Sequence, residues 1–385
     1  MLLPSSLNKL RSFWSSYRSI LLLFLGTRFV VFLVNAAVFL SSNLNPAPTG
    51  PFLDRGISLA DVPLLMWQRW DANHYISIAS NGYTVTLGKA LNTAYFPLYP
   101  LLGFLVSFIT SNTTVALLLV SNIAFLLALI MLYKLARLDY DHDTALRAVT
   151  YVSLFPFTIF FAGVFTESLF LLLLVSAFYY ARTQAWVKSG VVGLFATATR
   201  LVGMAVAPAL VWEYLQQRNW DVRKLDRSFF ALFLIPVGLL AFMVYTHVVY
   251  GDFFSTFNST RAVWGGEPSW PWLSFYNQFN RLGMPQLVPI AGFELAFGFL
   301  AILGVAGCFF YLRTSYAVLA TAVILIAFSN VSLQSFCRYV TTVFPMYILL
   351  AHFGRRSVVH VAVLIISTIG MIYFTALFGM GKFIG

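Results

Sequence analysis

The chain has 385 residues, of which 60% are hydrophobic, 17% aromatic and 10% charged; the mean hydropathy is +0.82. A soluble domain carries about 25% charged residues, so the composition excludes a large soluble domain and predicts an all-α polytopic membrane protein. The net charge of +11 does not argue for a nucleic-acid partner, because the basic residues fall in short loops between apolar spans, where they set orientation.

In chain order, apolar spans are predicted near 19–41, 114–136, 147–165, 166–182, 186–200, 203–217, 229–250, 287–311, 315–333, 339–354 and 357–380, about eleven transmembrane helices. The first is long enough for a ~30 Å core and is read as an uncleaved helix rather than a signal peptide. Several others fall short of ~20 residues and should be packed inside the bundle or end in a polar cavity. Residues 95–110 are left out of the count. They hold two prolines, and a crossing there would put Lys134, Arg137 and Arg147 opposite Lys9, Arg11 and Arg18. Read as a re-entrant or interfacial helix, the segment leaves 15 basic residues inside and 7 outside. The N-terminus is then cytoplasmic, and 42–113 and 251–286 are two large outer loops. We expect one membrane-embedded domain over 1–385. Cys308 and Cys337 lie in or at the end of apolar spans, so no structural disulfide is expected.

The first outer loop holds the densest polar and aromatic block, Trp70-Asp71-Ala72-Asn73-His74-Tyr75, then Asn81-Gly82-Tyr83 and Tyr95-Phe96-Pro97-Leu98-Tyr99-Pro100. On a helix, Asp71 and His74 share a face. The alternative is an amphipathic helix with both side chains solvated. The second loop contains Trp264, Trp270, Trp272, Phe275, Tyr276 and Phe279; such aromatics suit the membrane interface, sugar stacking or a lipid cover.

The first block resembles the first-loop signature of the PIG-V family, the GPI mannosyltransferase II relatives within the GT-C class: W-D-x-x-H-[FY], G-Y, then F-P-L-Y-P. Later matches follow in order: Phe165-Thr166-Glu167-Ser168-Leu169, Thr199-Arg200-Leu201-Val202-Gly203, and Arg338-Tyr339 before Phe344-Pro345. Together they cover roughly residues 20–350. The resemblance implies a GT-C-like bundle and a polyprenyl- or dolichyl-phosphate sugar donor, with mannose the foremost sugar. It also implies metal-independent inverting transfer at the outer face, with the family's first-loop acid on Asp71. The acceptor, a glycan, glycolipid or protein, is left open. The compartment would be the plasma membrane in a bacterium and the endoplasmic reticulum in a eukaryote.

The chemistry of such a transfer fits one carboxylate. A phosphate leaves as a stable anion, so a single inverting displacement needs a base for the acceptor hydroxyl and charge stabilisation, not a carboxylate pair. Asp71 is the expected catalytic residue; Asp54 and Asp61 lack its context. His74 would bind the donor phosphate or orient Asp71. With Asp71 it supplies only two metal ligands, and no His or Cys cluster completes a shell, so no metal is expected. The other histidines, His142, His247, His352 and His360, are scattered. Trp70 and Tyr75 either pack the loop helix or line the sugar site, and Tyr99 is a candidate hydrogen-bond donor to the donor substrate. Glu167 is either a favourable first-turn acid behind a Thr166 cap or a second acid that holds the acceptor or fixes Arg200. Arg200 and Arg338 are candidate phosphate clamps, since guanidinium matches phosphate bidentately. Arg338 can instead snorkel, and Arg28 is read as a paired or snorkelling residue. A transporter or lipid-linked-glycan flippase is the rival class; it expects repeated halves with ionisable residues near the midplane, and no matching halves are found.

Overall fold

The computed structural model describes residues 5–42, 60–86, 90–264, 267–284 and 288–384; Asp54, Arg55 and Lys89 lie outside them. The described residues form an all-helical bundle with one two-residue antiparallel strand pair, Val85–Thr86 with Ala90–Leu91. Among the described residues four helices are long and apolar enough to cross a bilayer: Tyr17–Ser41, Thr113–Ala136, Ile290–Tyr311 and Ser357–Gly379. A fifth candidate is the pair Arg227–Leu234 and Val237–Tyr250, bent by 41° beside Pro236, whose missing N–H and fixed φ interrupt a helix.

The other apolar runs are shorter or broken. Residues 147–165, expected as one span, divide into His142–Ser153 and the single turn Ile159–Ala162, with Pro156 in the break. The run 339–354 is likewise interrupted, and its regular part is Phe344–Phe353. The stretch at 203–217 begins with a 3-10 turn, Leu201–Ala205. These short pieces sit in the middle of the bundle: Phe157, Phe160, Phe161, Val164 and Phe165 are fully buried. Non-regular backbone at membrane depth is tolerated where protein surrounds it.

Glu167–Arg182 is the central helix, packed on Thr113–Ala136 and Trp186–Thr197. Small residues let the neighbouring layers approach. A Cβ on Gly238 would lie 2.0 Å from the Leu194 carbonyl oxygen, and one on Gly190 would lie 2.0 Å from that of Ala231. Only glycine allows these helices to touch backbone to backbone.

The segment set aside in the span count forms Leu98–Thr110, 13 residues or roughly 20 Å. It lies along the loop helix Asp71–Asn81. Tyr99 meets Tyr75 near its start, its Gly103 faces Ala79, and Thr113, just past its end, is hydrogen-bonded to Ser80. The second loop supplies Ser255–Trp264 and Pro271–Arg281. It joins the first through Thr93 Oγ1, 2.8 Å from Ser255 Oγ and 2.6 Å from Ser259 Oγ. Trp270 and Trp272 stack at 4.9 Å and are exposed, as are Tyr276 and Phe279, while Ser274 and Gln278 face inward. Cys308 and Cys337 are free and buried.

Candidate active site

The loop helix Asp71–Asn81 begins after Trp70, which has a left-handed φ of 48°. This is costly for a bulky residue. It is held by packing, with the indole edge-on to Phe378 at 5.1 Å and to Phe383 at 5.8 Å. Trp70 therefore anchors the helix start against the C-terminal segment and turns Asp71 into the first helical position, where a negative charge is favoured.

Asp71, His74 and Tyr75 share one face, as the spacing predicts. Tyr95 closes over it: its ring stacks on His74 at 4.6 Å and 16°, meets Tyr75 edge-on at 5.1 Å, and its hydroxyl donates to Asp71 Oδ1 at 3.2 Å. The Tyr99 ring meets Tyr75 edge-on at 5.2 Å, but its hydroxyl turns away from Asp71 and His74. It is fully buried, and its hydroxyl lies between the Leu117 carbonyl, 3.1 Å, and Ser121 Oγ, 2.7 Å. Of the two tyrosines in that block, Tyr95 is the polar contact of the site and Tyr99 is packing.

Three distant segments bring the remaining charges to Asp71. Arg338, on the short helix Phe336–Thr341, donates from Nη1 to Asp71 Oδ2 at 2.5 Å and from Nε to Glu167 Oε1 at 2.8 Å. Its guanidinium sits among aromatic rings, 4.9 Å from Phe160 and 5.1 Å from Phe165, an attraction strengthened by desolvation. The snorkelling alternative is overturned: the Arg338 side chain is 8% exposed and bridges both acids. Arg200 stands at the break after Trp186–Thr197 with extended backbone. Its Nη1 donates to Glu167 Oε1 at 2.6 Å and to Thr166 Oγ1 at 3.2 Å, and its guanidinium lies 5.3 Å from the Tyr339 ring. Thr166 makes no side-chain cap, because its hydroxyl receives Arg200 instead.

The result is an alternating row, Asp71, Arg338, Glu167, Arg200. Glu167 is fully buried at its centre, while the side chains of Asp71 and Arg200 are 17% and 15% exposed. Glu167 Oε2 is buried with no hydrogen-bond partner among the described residues, although both its partners crowd the other oxygen. Burial pushes the Asp71 carboxyl up, but the charge and hydrogen bond of Arg338, helped by His74 and Tyr95, pull it below the usual carboxylate range. Burial lowers His74, only partly offset by the charge of Asp71.

The remaining candidates fall elsewhere. Among the described residues no acid pairs with Arg28: Nη2 donates to Thr158 Oγ1 at 2.8 Å and the guanidinium lies 4.5 Å from the Phe125 ring. Asp61 precedes the short turn Val62–Leu65, outside the row. Among the described residues no three His, Cys, Asp or Glu side chains gather as a metal group would. Sequence reasoning missed Tyr95 as the ligand of Asp71, although it stands in the same block. It also missed Glu294, whose presence in the apolar run 287–311 was itself a signal.

The all-helical bundle has the fold of the GT-C membrane glycosyltransferases. Over 94% of this chain and 76% of the other, it superposes on ArnT from Cupriavidus metallidurans bound to undecaprenyl phosphate, with a TM-score of 0.54 at 12% identity. The apo form of the same enzyme matches over 80% of this chain and 69% of that one, with a TM-score of 0.51 at 14% identity. In sequence, the model of the family described as Mannosyltransferase (PIG-V) matches residues 10–279, and the chain belongs to that family. It is 26% identical over 225 residues to GPI mannosyltransferase 2 of Cryptococcus neoformans, an alignment covering 54% of this chain and 51% of the relative. The chain thus spans about half the length of the curated relative it matches.

Proposed function

We propose that this integral membrane protein transfers a sugar, foremost mannose, from a polyprenyl- or dolichyl-phosphate donor to an acceptor hydroxyl at the outer or luminal face. The acceptor is a glycan, glycolipid or protein, and a GPI acceptor is not assumed. The observation that carries the reading is the row Asp71–Arg338–Glu167–Arg200, with its acid and its cation reaching the surface at opposite ends.

The acceptor oxygen attacks the anomeric carbon, the bond from that carbon to phosphate oxygen breaks, and the bonding pair leaves with the lipid phosphate. The acceptor proton goes to Asp71. This single displacement inverts the anomeric centre. Arg200 and Arg338 supply the positive charge a phosphate leaving group needs, so the transfer requires no metal. With the site empty, Arg338 satisfies Asp71 and holds its basicity down. A lipid phosphate competes for the same guanidinium and loosens that hold, so the base strengthens when the donor is in place. Glu167 keeps the two cations side by side against their mutual repulsion. Family membership favours transfer over the transporter or flippase alternative. The catalytic outer loop is then 42–113 and the second outer loop 251–286, both within one membrane-embedded domain whose N-terminus is cytoplasmic. The non-crossing reading of Leu98–Thr110 is supported by its contacts with the single loop helix Asp71–Asn81 near both ends.

The test is a transfer assay on purified protein with candidate lipid-phosphate sugars, comparing wild type with Asp71→Asn. Transfer from one donor that disappears in a folded Asp71→Asn protein supports the proposal. Equal turnover by the two proteins overturns it.

A further inference from the structure

An acid inside a long apolar helix is costly unless donors surround it. Glu294 is the single acid in the four long apolar helices, and it is 1% exposed. Its Oε1 accepts the Ser335 backbone N–H at 2.7 Å, and its Oε2 accepts from Gln278 Nε2 at 2.5 Å. The two donors come from different parts of the chain. Gln278 belongs to the inward face of Pro271–Arg281, the outer-loop helix whose Trp272, Tyr276 and Phe279 are exposed. Ser335 is the residue from which the helix Phe336–Thr341, and with it Arg338, departs.

Ser335 is itself strained. Its φ is 65° and its side chain makes no cap bond, a conformation that non-glycine residues adopt only when the surroundings impose it. The Glu294 carboxylate imposes it through the Ser335 N–H. Arg338 follows one turn later, and its own backbone N–H donates to the Ser335 carbonyl at 3.1 Å. A displacement of Ser335 would swing the guanidinium away from Asp71 and Glu167, which it meets at 2.5 and 2.8 Å.

We propose that Glu294 is a positioning residue for Arg338: it fixes the backbone turn that aims the guanidinium and, through Gln278, ties that turn to the second outer loop. The proposal rests on reading Arg338 as part of the phosphate clamp. Movement of the aromatic outer-loop helix, as a lipid or acceptor settles on it, is thereby transmitted to the clamp without a direct contact.

The experiment uses the full chain carrying Cys308→Ser, which leaves Cys337, 1% exposed and adjacent to Arg338, as the single thiol. Two quantities are measured in lipid nanodiscs: labelling of Cys337 by a small methanethiosulfonate reagent, and affinity for undecaprenyl phosphate. Glu294→Ala should speed labelling by at least ~10-fold as the turn opens and weaken undecaprenyl phosphate binding by about 10-fold. Glu294→Gln keeps an acceptor for the Ser335 N–H and should recover most of both. In an Arg338→Ala background, Glu294→Ala should weaken binding no further. Unchanged Cys337 protection in a folded Glu294→Ala protein, or losses that add fully to those of Arg338→Ala, would overturn the proposal. If Glu294→Ala does not fold, Gln278→Leu removes one of the two ties and carries the same expectations at smaller size, with the same overturning results. Faster labelling combined with an Arg338→Ala protein that still binds undecaprenyl phosphate normally would uphold the positioning role and overturn the clamp reading instead.

Discussion

The helix Glu167–Arg182 carries a buried ionic cluster at each end, roughly 24 Å apart at 1.5 Å per residue, and the two are built differently. At its last residue, Arg182 donates bidentately to Asp139 at 2.6 and 2.7 Å and to the Tyr316 hydroxyl at 2.9 Å. Beside it, Glu213 is fully buried and fully used: Oε2 accepts from Arg313 Nε at 2.7 Å and Ser315 Oγ at 2.5 Å, and Oε1 accepts from Gln217 Nε2 at 2.5 Å. At the first residue, Glu167 receives two guanidiniums on one oxygen and leaves the other without a partner among the described residues. A carboxylate with both oxygens occupied locks helices together. A carboxylate that gathers two cations and keeps an oxygen unused maintains a charge arrangement that packing alone would not select. Burial and charge are common to both clusters, so the unused Glu167 oxygen is what distinguishes the Glu167 cluster from the Glu213 cluster.

The comparison breaks outright if the clusters share a side of the membrane. In a background lacking Cys308 and Cys337, cysteines at Asn81 and Asn112 should label only from outside with an impermeant thiol reagent, and one at Arg223 only from the cytoplasm. Labelling of Asn112 from the cytoplasm would make Leu98–Thr110 a crossing helix and reverse the orientation. Within the Asp71–Arg338–Glu167–Arg200 cluster the largest effect belongs to Asp71. Asp71→Asn should retain expression and donor binding yet lose transfer by at least ~100-fold, the size of a general-base loss.

Next come the cations. Arg200→Ala should weaken lipid-phosphate binding by more than ~10-fold, one charge-assisted hydrogen bond's worth. Arg200→Lys should restore only part, because a point charge replaces a fork. Removal of Arg200 also leaves Glu167 to Arg338 alone, so unchanged donor affinity in a folded Arg200→Ala protein would mark the Arg200–Glu167 pair as structural. The other cluster should answer in stability instead. Glu213→Ala leaves Arg313 and Ser315 without their buried acceptor, while Arg182 keeps Asp139, and should cost about 3–5 kcal/mol, as breaking a buried pair does. The folded fraction should bind undecaprenyl phosphate as wild type does, and a binding defect there would erase the distinction.

Much of this was legible in the sequence because it is written locally. The spacing of Asp71, His74 and Tyr75 predicts their shared face, and the apolar runs predict the four long helices to within a few residues, apart from the polar extension of the first helix back to Ser5. What was not legible depends on contacts between distant segments. The Arg200–Glu167 pair, 33 residues apart, stood among the sequence alternatives, but only the folded structure selects it and adds Arg338 to the same Glu167 oxygen. Arg338 stands 267 residues from Asp71, so snorkelling was the simpler expectation for a cation at a span end. Tyr95 and Tyr99 are both tyrosines in one aromatic block. Only the turn through Pro97 into Leu98–Thr110 decides which points toward Asp71 and which into the Leu117–Ser121 wall. Continuity over 147–165 failed for a local reason, since Pro156 cannot sit inside a helix that starts at His142.

The finest distinction concerns protons. Because Asp71 lies below its ordinary range, it is ionised throughout the neutral region. Its pairing stabilises the fold above the unfolded carboxylate range, and that contribution is lost as pH falls through the lowered folded value. The acid limb of the kcat/KM profile should report the same group in the free enzyme. Arg338→Gln removes the charge that holds Asp71 down while the upward push of burial remains, so the residual activity should show its acid limb at higher pH than wild type. Arg338→Lys keeps a charge and should move it less. Arg313→Gln, in the other cluster, should leave the limb where it is. A limb that stays fixed in Arg338→Gln would mean that a group other than Asp71 titrates, and the base would have to be sought elsewhere in the loop. A limb that moves equally in Arg313→Gln would report a general loosening of the bundle rather than a local charge. The ordered result, Gln beyond Lys beyond the remote control, is what a single carboxylate facing one guanidinium produces.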